Sequence, residues 1–94
     1  MSFVFKKRRG IHIPYNKQGL IYFICVNVKD MPEDVQQKIL NLCIEVTGQH
    51  YQALYTLLTN DSKNIHGVAM AYNVSETQLY GYRKQFYENF FNSS

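Results

Sequence analysis

The stretch whose reading decides the fold runs from Val68 to Tyr82, VAMAYNVSETQLYGY. Ile65, Val68, Ala69 and Tyr72 recur at helical intervals and form one apolar face. Asn73 follows at once, and Asn, like Gly, tolerates the left-handed conformation that ends a helix. Val74 is then placed to plug the corner between two helices. Ser75 is a good N-cap, and Gln78 three residues later completes an S-x-x-Q capping box. Leu79, Tyr82, Phe86 and Phe90 mark the inner face of a second helix.

Outward from this corner, a helix over about 49–60 is predicted to turn Tyr51, Leu54, Tyr55 and Leu58 inward, and Asn60-Asp61-Ser62 breaks it before the next helix starts near Lys63 or Asn64. Residues 30–47 form another helix. Asp30 is its expected N-cap, Pro32 sits in its first turn, and Glu33 completes an Asp-x-x-Glu box. Val35, Ile39, Leu42, Cys43 and Val46 run down one side, and Gly48 stops it. Residues 17–29, KQGLIYFICVNVK, are ambiguous between helix and strand. Leu20, Phe23, Ile24 and Asn27-Val28 fit a helical face, whereas the density of Ile and Val favours a strand. A buried helix is the expectation, because a strand would find a partner only in residues 1–16. The fold class is therefore an all-α bundle of about five helices. One helical domain spans 17–94, with a helix-turn-helix at about 64–91, and an extended basic arm spans 1–16, a short hairpin around Arg9-Gly10 being its alternative shape.

The charge distribution separates arm from body. Residues 1–17 hold Lys6, Lys7, Arg8, Arg9 and Lys17 and no acid, while the remainder sets five basic residues against all seven acids, a net of −2. A basic arm on a near-neutral body favours a polyanionic partner; a solvated tail that keeps the protein soluble is the alternative reading. Hydrophobic residues make up 46% of the 94, with eight Tyr and six Phe, which is enough to build one core. Cys25 and Cys43 lie in apolar runs without zinc-ligand spacing, so they read as buried thiols of a reducing cytoplasm. No leader pattern follows the basic cluster, and the apolar run Leu20 to Val26 is too short to span a bilayer. The expected location is cytoplasmic, with no membrane association.

The segment from about Tyr51 to Phe90 resembles the helix-turn-helix of bacterial and phage DNA-binding regulators, and with its first helix the tri-helical promoter-reading region of sigma factors. Ala69 stands at the small residue of that pattern, Asn73 at its turn, Val74 at the aliphatic residue that follows, and Leu79 and Tyr82 at the inward positions of the second helix, Tyr82 being bulkier than usual. The resemblance implies a transcriptional regulator of phage or mobile-element type that binds double-stranded DNA without a cofactor. It implies that Thr77, Gln78 and Tyr80 read bases. Arg83 and Lys84 would hold phosphates, with Ser75 and Asn64 adding contacts at helix N-termini and Lys6, Lys7, Arg8 and Arg9 lying along the backbone or in a minor groove. One departure weakens it: Glu76 places an acid at the point nearest the DNA.

No catalytic constellation is legible. His12, His50 and His66 are scattered, Ser75 is explained by capping, and no Gly-rich phosphate loop follows a strand, so neither enzyme activity nor a metal is expected. In the C-terminal QFYENFF, Phe86 and Phe90 belong inside, while Tyr87 and Phe91 fall outside that face and are expected to form a homodimer or host-protein surface. The alternative of another class is a protein-binding module, such as a small phage-type inhibitor of a host nucleoprotein, with Tyr80 as a protein contact.

Overall fold

A computed structural model describes residues 14–60 and 64–91. Among them the chain forms five α-helices and no strand: α1 (Tyr15–Val26), α2 (Glu33–Thr47), α3 (Tyr51–Thr59), α4 (Ile65–Tyr72) and α5 (Glu76–Asn89). The all-α expectation holds, and residues 17–29 are helical with a short 3₁₀ turn at Val28–Asp30. The helix starts at Tyr15 after Pro14, two residues inside the expected arm. The cations Lys6, Lys7, Arg8 and Arg9, and the hairpin alternative, lie outside the described residues.

The predicted corner is present in detail. Asn73 takes φ 55 and ψ 46, the left-handed region, and among the described residues no other non-glycine has positive φ. The Val74 N–H donates to the Ala69 carbonyl at 3.0 Å and the Asn73 N–H to Met70 at 3.4 Å, the paired bonds of a Schellman ending. Val74 and Ala69 are both buried in one apolar cluster, the contact that usually accompanies this motif. At the start of α5 the Gln78 N–H donates to Ser75 Oγ at 3.0 Å and the Ser75 N–H to Gln78 Oε1 at 3.4 Å, so the capping box forms. Gly48, at φ 64, ends α2 as expected.

Two expectations at helix starts and faces are corrected. The Asp-x-x-Glu box does not form. Asp30 closes the 3₁₀ turn, Met31 is extended, and Pro32 is the N-cap of α2 without a side-chain bond. A proline disfavours helical backbone in the residue before it, so the helix cannot run from Asp30 through Met31. Glu33 and Asp34 still occupy the first turn, where the helix dipole favours them. On α1 the buried residues are Gln18, Ile21 and Cys25, continued by Val28, whereas Leu20 and Phe23 stand on the exposed side. The segment is apolar nearly all round, so its periodicity does not choose a face; packing on α3 does.

Two apolar clusters result. The larger gathers Ile21, Cys25, Ile39, Leu42, Cys43, Leu54, Leu58, Phe86, Tyr87 and Phe90 from α1, α2, α3 and α5. The smaller gathers Ala53, Leu57, Val68, Ala69, Val74 and Leu79 from α3, α4, α5 and the corner. Tyr82 is half-buried and touches both.

These local geometries set measurable stabilities. Asn73→Gly is expected to be nearly neutral in chemical denaturation, and Asn73→Val to lose about 1–2 kcal/mol. Ser75→Ala should cost about 1 kcal/mol through the lost cap, whereas Asp30→Ala should cost little; equal losses would mean that the two helix starts are capped alike.

Candidate nucleic-acid interface

The candidate interface is the exposed side of α5. Its buried residues are Leu79, Phe86 and Tyr87, with Phe90 just past its end, anchored on α2, α3 and α4. At about 100° per residue the opposite side of the helix carries Thr77, Gly81, Lys84, Gln85 and the half-buried Glu88. Thr77, Lys84 and Gln85 are exposed, and Gly81 is half-exposed. Tyr80, 51% exposed, stands at one flank, where it lines a hollow of about 280 Å³ with Tyr22, Leu57, Asn64 and Arg83. The Arg83 guanidinium lies over the Tyr80 ring at 5.2 Å, a cation–π contact that turns the charge toward this flank.

Several of the expected contact residues carry structural duties. Gln78 is exposed, but its Oε1 accepts the Ser75 N–H. Bidentate pairing with adenine needs that oxygen, so it would compete with the capping box. Asn64 caps α4 through Oδ1, which accepts the Gly67 N–H at 2.7 Å, so its side-chain NH₂ is what it can offer a phosphate. Ser75 Oγ accepts from the Gln78 N–H. Thr77 and Lys84 have no structural bond among those described, and both lie on the outermost line of the helix.

A feature that spacing alone did not reveal is the pairing of Glu76 with His66. His66 Nδ1 lies 2.9 Å from Glu76 Oε2, linking the first turn of α4 to the first turn of α5. Both side chains are exposed, so the contact adds little stability, but it holds the carboxylate toward α4 and off the outer line of α5. A His ten residues before a Glu is no sequence signal until the helices are folded against each other. Gln85 was also missed. It lies four residues beyond Gly81, on the same face.

Tyr87 is corrected from a partner surface to a core residue. It is 2% exposed and packs in the larger cluster beside Phe86. The C-terminal half of α5 is covered by α2 and α3, and Tyr22 and Val26 of α1 line the hollow beside Tyr87, so its buried arc is wider than one apolar stripe. Phe91 does remain exposed, at 46%, edge-on to Phe90 with Lys17 Nζ 5.5 Å from its ring centre.

Among the described residues, no group of three His, Cys, Asp or Glu side chains is placed to hold a metal, and no helix is long and apolar enough to cross a membrane. Burial pushes the Cys43 thiol up to about 12, and burial together with neighbouring Cys43 raises Cys25 further. Both stay protonated near neutral pH and are poor nucleophiles. The Tyr55 hydroxyl is raised too, by burial and then by the two thiols.

Compared with protein families, curated proteins and solved structures, the chain shows no significant match to any of them.

Two outcomes are expected from this packing. Tyr87→Lys should unfold the protein or cost about 3 kcal/mol or more, because it removes a core ring and buries a charge, while Phe91→Lys should leave the denaturation midpoint nearly unchanged. The thiols ionise in the unfolded chain near their ordinary value of 9.0 but only at higher pH in the folded protein. Their contribution is therefore full below about pH 9 and is lost as pH rises above it. Stability measured by denaturant should fall across that window, and less steeply when both cysteines are replaced by Ala.

Proposed function

We propose that the chain is a small DNA-binding protein that prefers a duplex sequence and regulates transcription, of the type found in phages and mobile elements. The observation that carries this is the three-helix unit α3–α4–α5. It has a core of its own, a Schellman corner at Asn73 and a second helix whose polar side is turned to solvent. An α-helix of this kind fits the major groove, and Thr77 and Gln85 supply uncharged hydrogen-bonding groups where base edges would lie. Lys84 supplies the adjacent phosphate contact, Arg83 and Tyr80 occupy one flank, and the diversion of Glu76 toward His66 moves its charge away from the phosphates. The cations Lys6, Lys7, Arg8 and Arg9 add affinity that is independent of sequence. The mechanism is binding, with no chemical step.

A second reading, a protein-binding module, is favoured by one observation. Met70 on α4 is 72% exposed and Tyr80 on α5 is 51% exposed, so the α4–α5 unit shows apolar side chains beside a face with few cations. Phe91 would then serve as a contact for a second copy or another protein.

Selection of bound duplexes from a random pool at physiological salt separates the two. An enriched motif is expected. Thr77→Ala should relax the preference at one base pair, at about 1–3 kcal/mol of lost discrimination. Lys84→Ala should weaken binding to all duplexes alike. Removing residues 1–10 should flatten the salt dependence by up to about three or four units. No enrichment at any salt would favour the protein-binding reading.

A further inference from the structure

We propose that Gly81 is the point at which the duplex comes closest to the α5 backbone, making it a specificity-determining position; this rests on the DNA-binding reading of α5. Gly48 and Gly67 are explained by the fold. Gly48 adopts φ 64, and a Cβ on Gly67 would lie 3.2 Å from Asn64 Oδ1, the oxygen that caps α4. Gly81 has no such reason. It lies inside the 14-residue α5, its φ is not positive, and among the described residues a Cβ built on it would meet nothing within 4 Å. Glycine in a helix interior is unfavourable relative to alanine, and here neither backbone geometry nor packing against the described residues offsets that.

What Gly81 does provide is a notch. Thr77 lies one turn before it and Lys84 and Gln85 one turn after it, all exposed and all polar or cationic. A surface that settles between them reaches the peptide backbone without meeting a side chain. The rim offers hydroxyl, amide and ammonium groups, which complement base edges and phosphates and not an apolar partner. A base edge or a thymine methyl seated in the notch would be displaced by a single added methyl group.

The test uses Gly81→Ala in the full chain, with Glu45→Ala on the exposed side of α2 as a control. In the free protein Gly81→Ala should raise Tm by about 4–8 °C, because it removes the helix penalty. On the duplex selected by the unmodified protein its affinity should fall by about ten- to a hundredfold, while binding to an unrelated duplex is unchanged. Selection with the variant should then enrich a motif altered at one or two adjacent base pairs. Unchanged affinity and an unchanged motif would overturn the closest-approach assignment and leave the DNA-binding reading standing. A parallel loss on both duplexes with a lowered Tm would also overturn it, since the effect would then run through the fold. If the unmodified protein enriches no motif, the DNA-binding reading fails and the inference falls with it.

Discussion

Helix α3 is buried from two sides, and the rest of the molecule depends on that. Its nine residues are too few to hold a helix in water alone, so its stability is tertiary. Leu54 and Leu58 enter the larger cluster with α1, α2 and α5, while Ala53 and Leu57 enter the smaller one with α4 and α5. A bond between the Thr56 and Tyr72 hydroxyls, 2.9 Å long, adds a polar tie from α3 to the end of α4. Because one short helix serves both clusters, the α4–α5 unit is carried by the bundle and is not appended to it. The base of α5 is fixed by its contacts with α2, α3 and α4, and what α5 shows to solvent is set by that docking.

The corner at Asn73 and the polar face of α5 compete for the same side chains. Asn64, Ser75 and Gln78 satisfy helix N-terminal N–H groups that would otherwise be left unpaired. Each oxygen used that way is not free for a ligand unless the cap opens. On the DNA-binding reading proposed above, the face left for recognition is therefore narrow: Thr77, Gly81, Lys84 and Gln85, with Glu88 at its far end and Tyr80 and Arg83 on one flank. The net charge of this body is slightly negative, so long-range attraction to a polyanion would come mainly from the cluster at Lys6 to Arg9 and would be strongly salt-dependent. On the DNA-binding reading, the cations at Lys6 to Arg9 would supply encounter and α5 would supply discrimination.

The corner was legible because it is local. Left-handed Asn, a buried Val after it and a Ser–Gln box three residues apart depend on atoms within about five residues of one another, and each has one dominant geometry. The faces of α2 and of the first half of α5 were legible for a related reason, since most of their apolar residues recur at the helical period, with Ile44 and Tyr80 left outside it. Asp30 misled because a residue of the right type three places before a Glu looks like a cap. The intervening Pro32 shifts the helix start by restricting Met31.

What the chain states in its own order is thus the number of helices, the stop of α2 at Gly48 and the turn between α4 and α5. What it leaves open is rotation. LIYFICV on α1 and the Phe-Tyr pair at Phe86-Tyr87 are apolar on more than one side, and no pattern within a helix says which side meets a neighbour. Packing decided that Ile21 and Cys25 turn inward while Leu20 and Phe23 do not, and that Tyr87 joins the core. The His66–Glu76 contact and the open space over Gly81 belong to the same class. Each is a relation between surfaces of different helices, or between a helix and solvent, and exists only once the assembled bundle has fixed how the helices face one another.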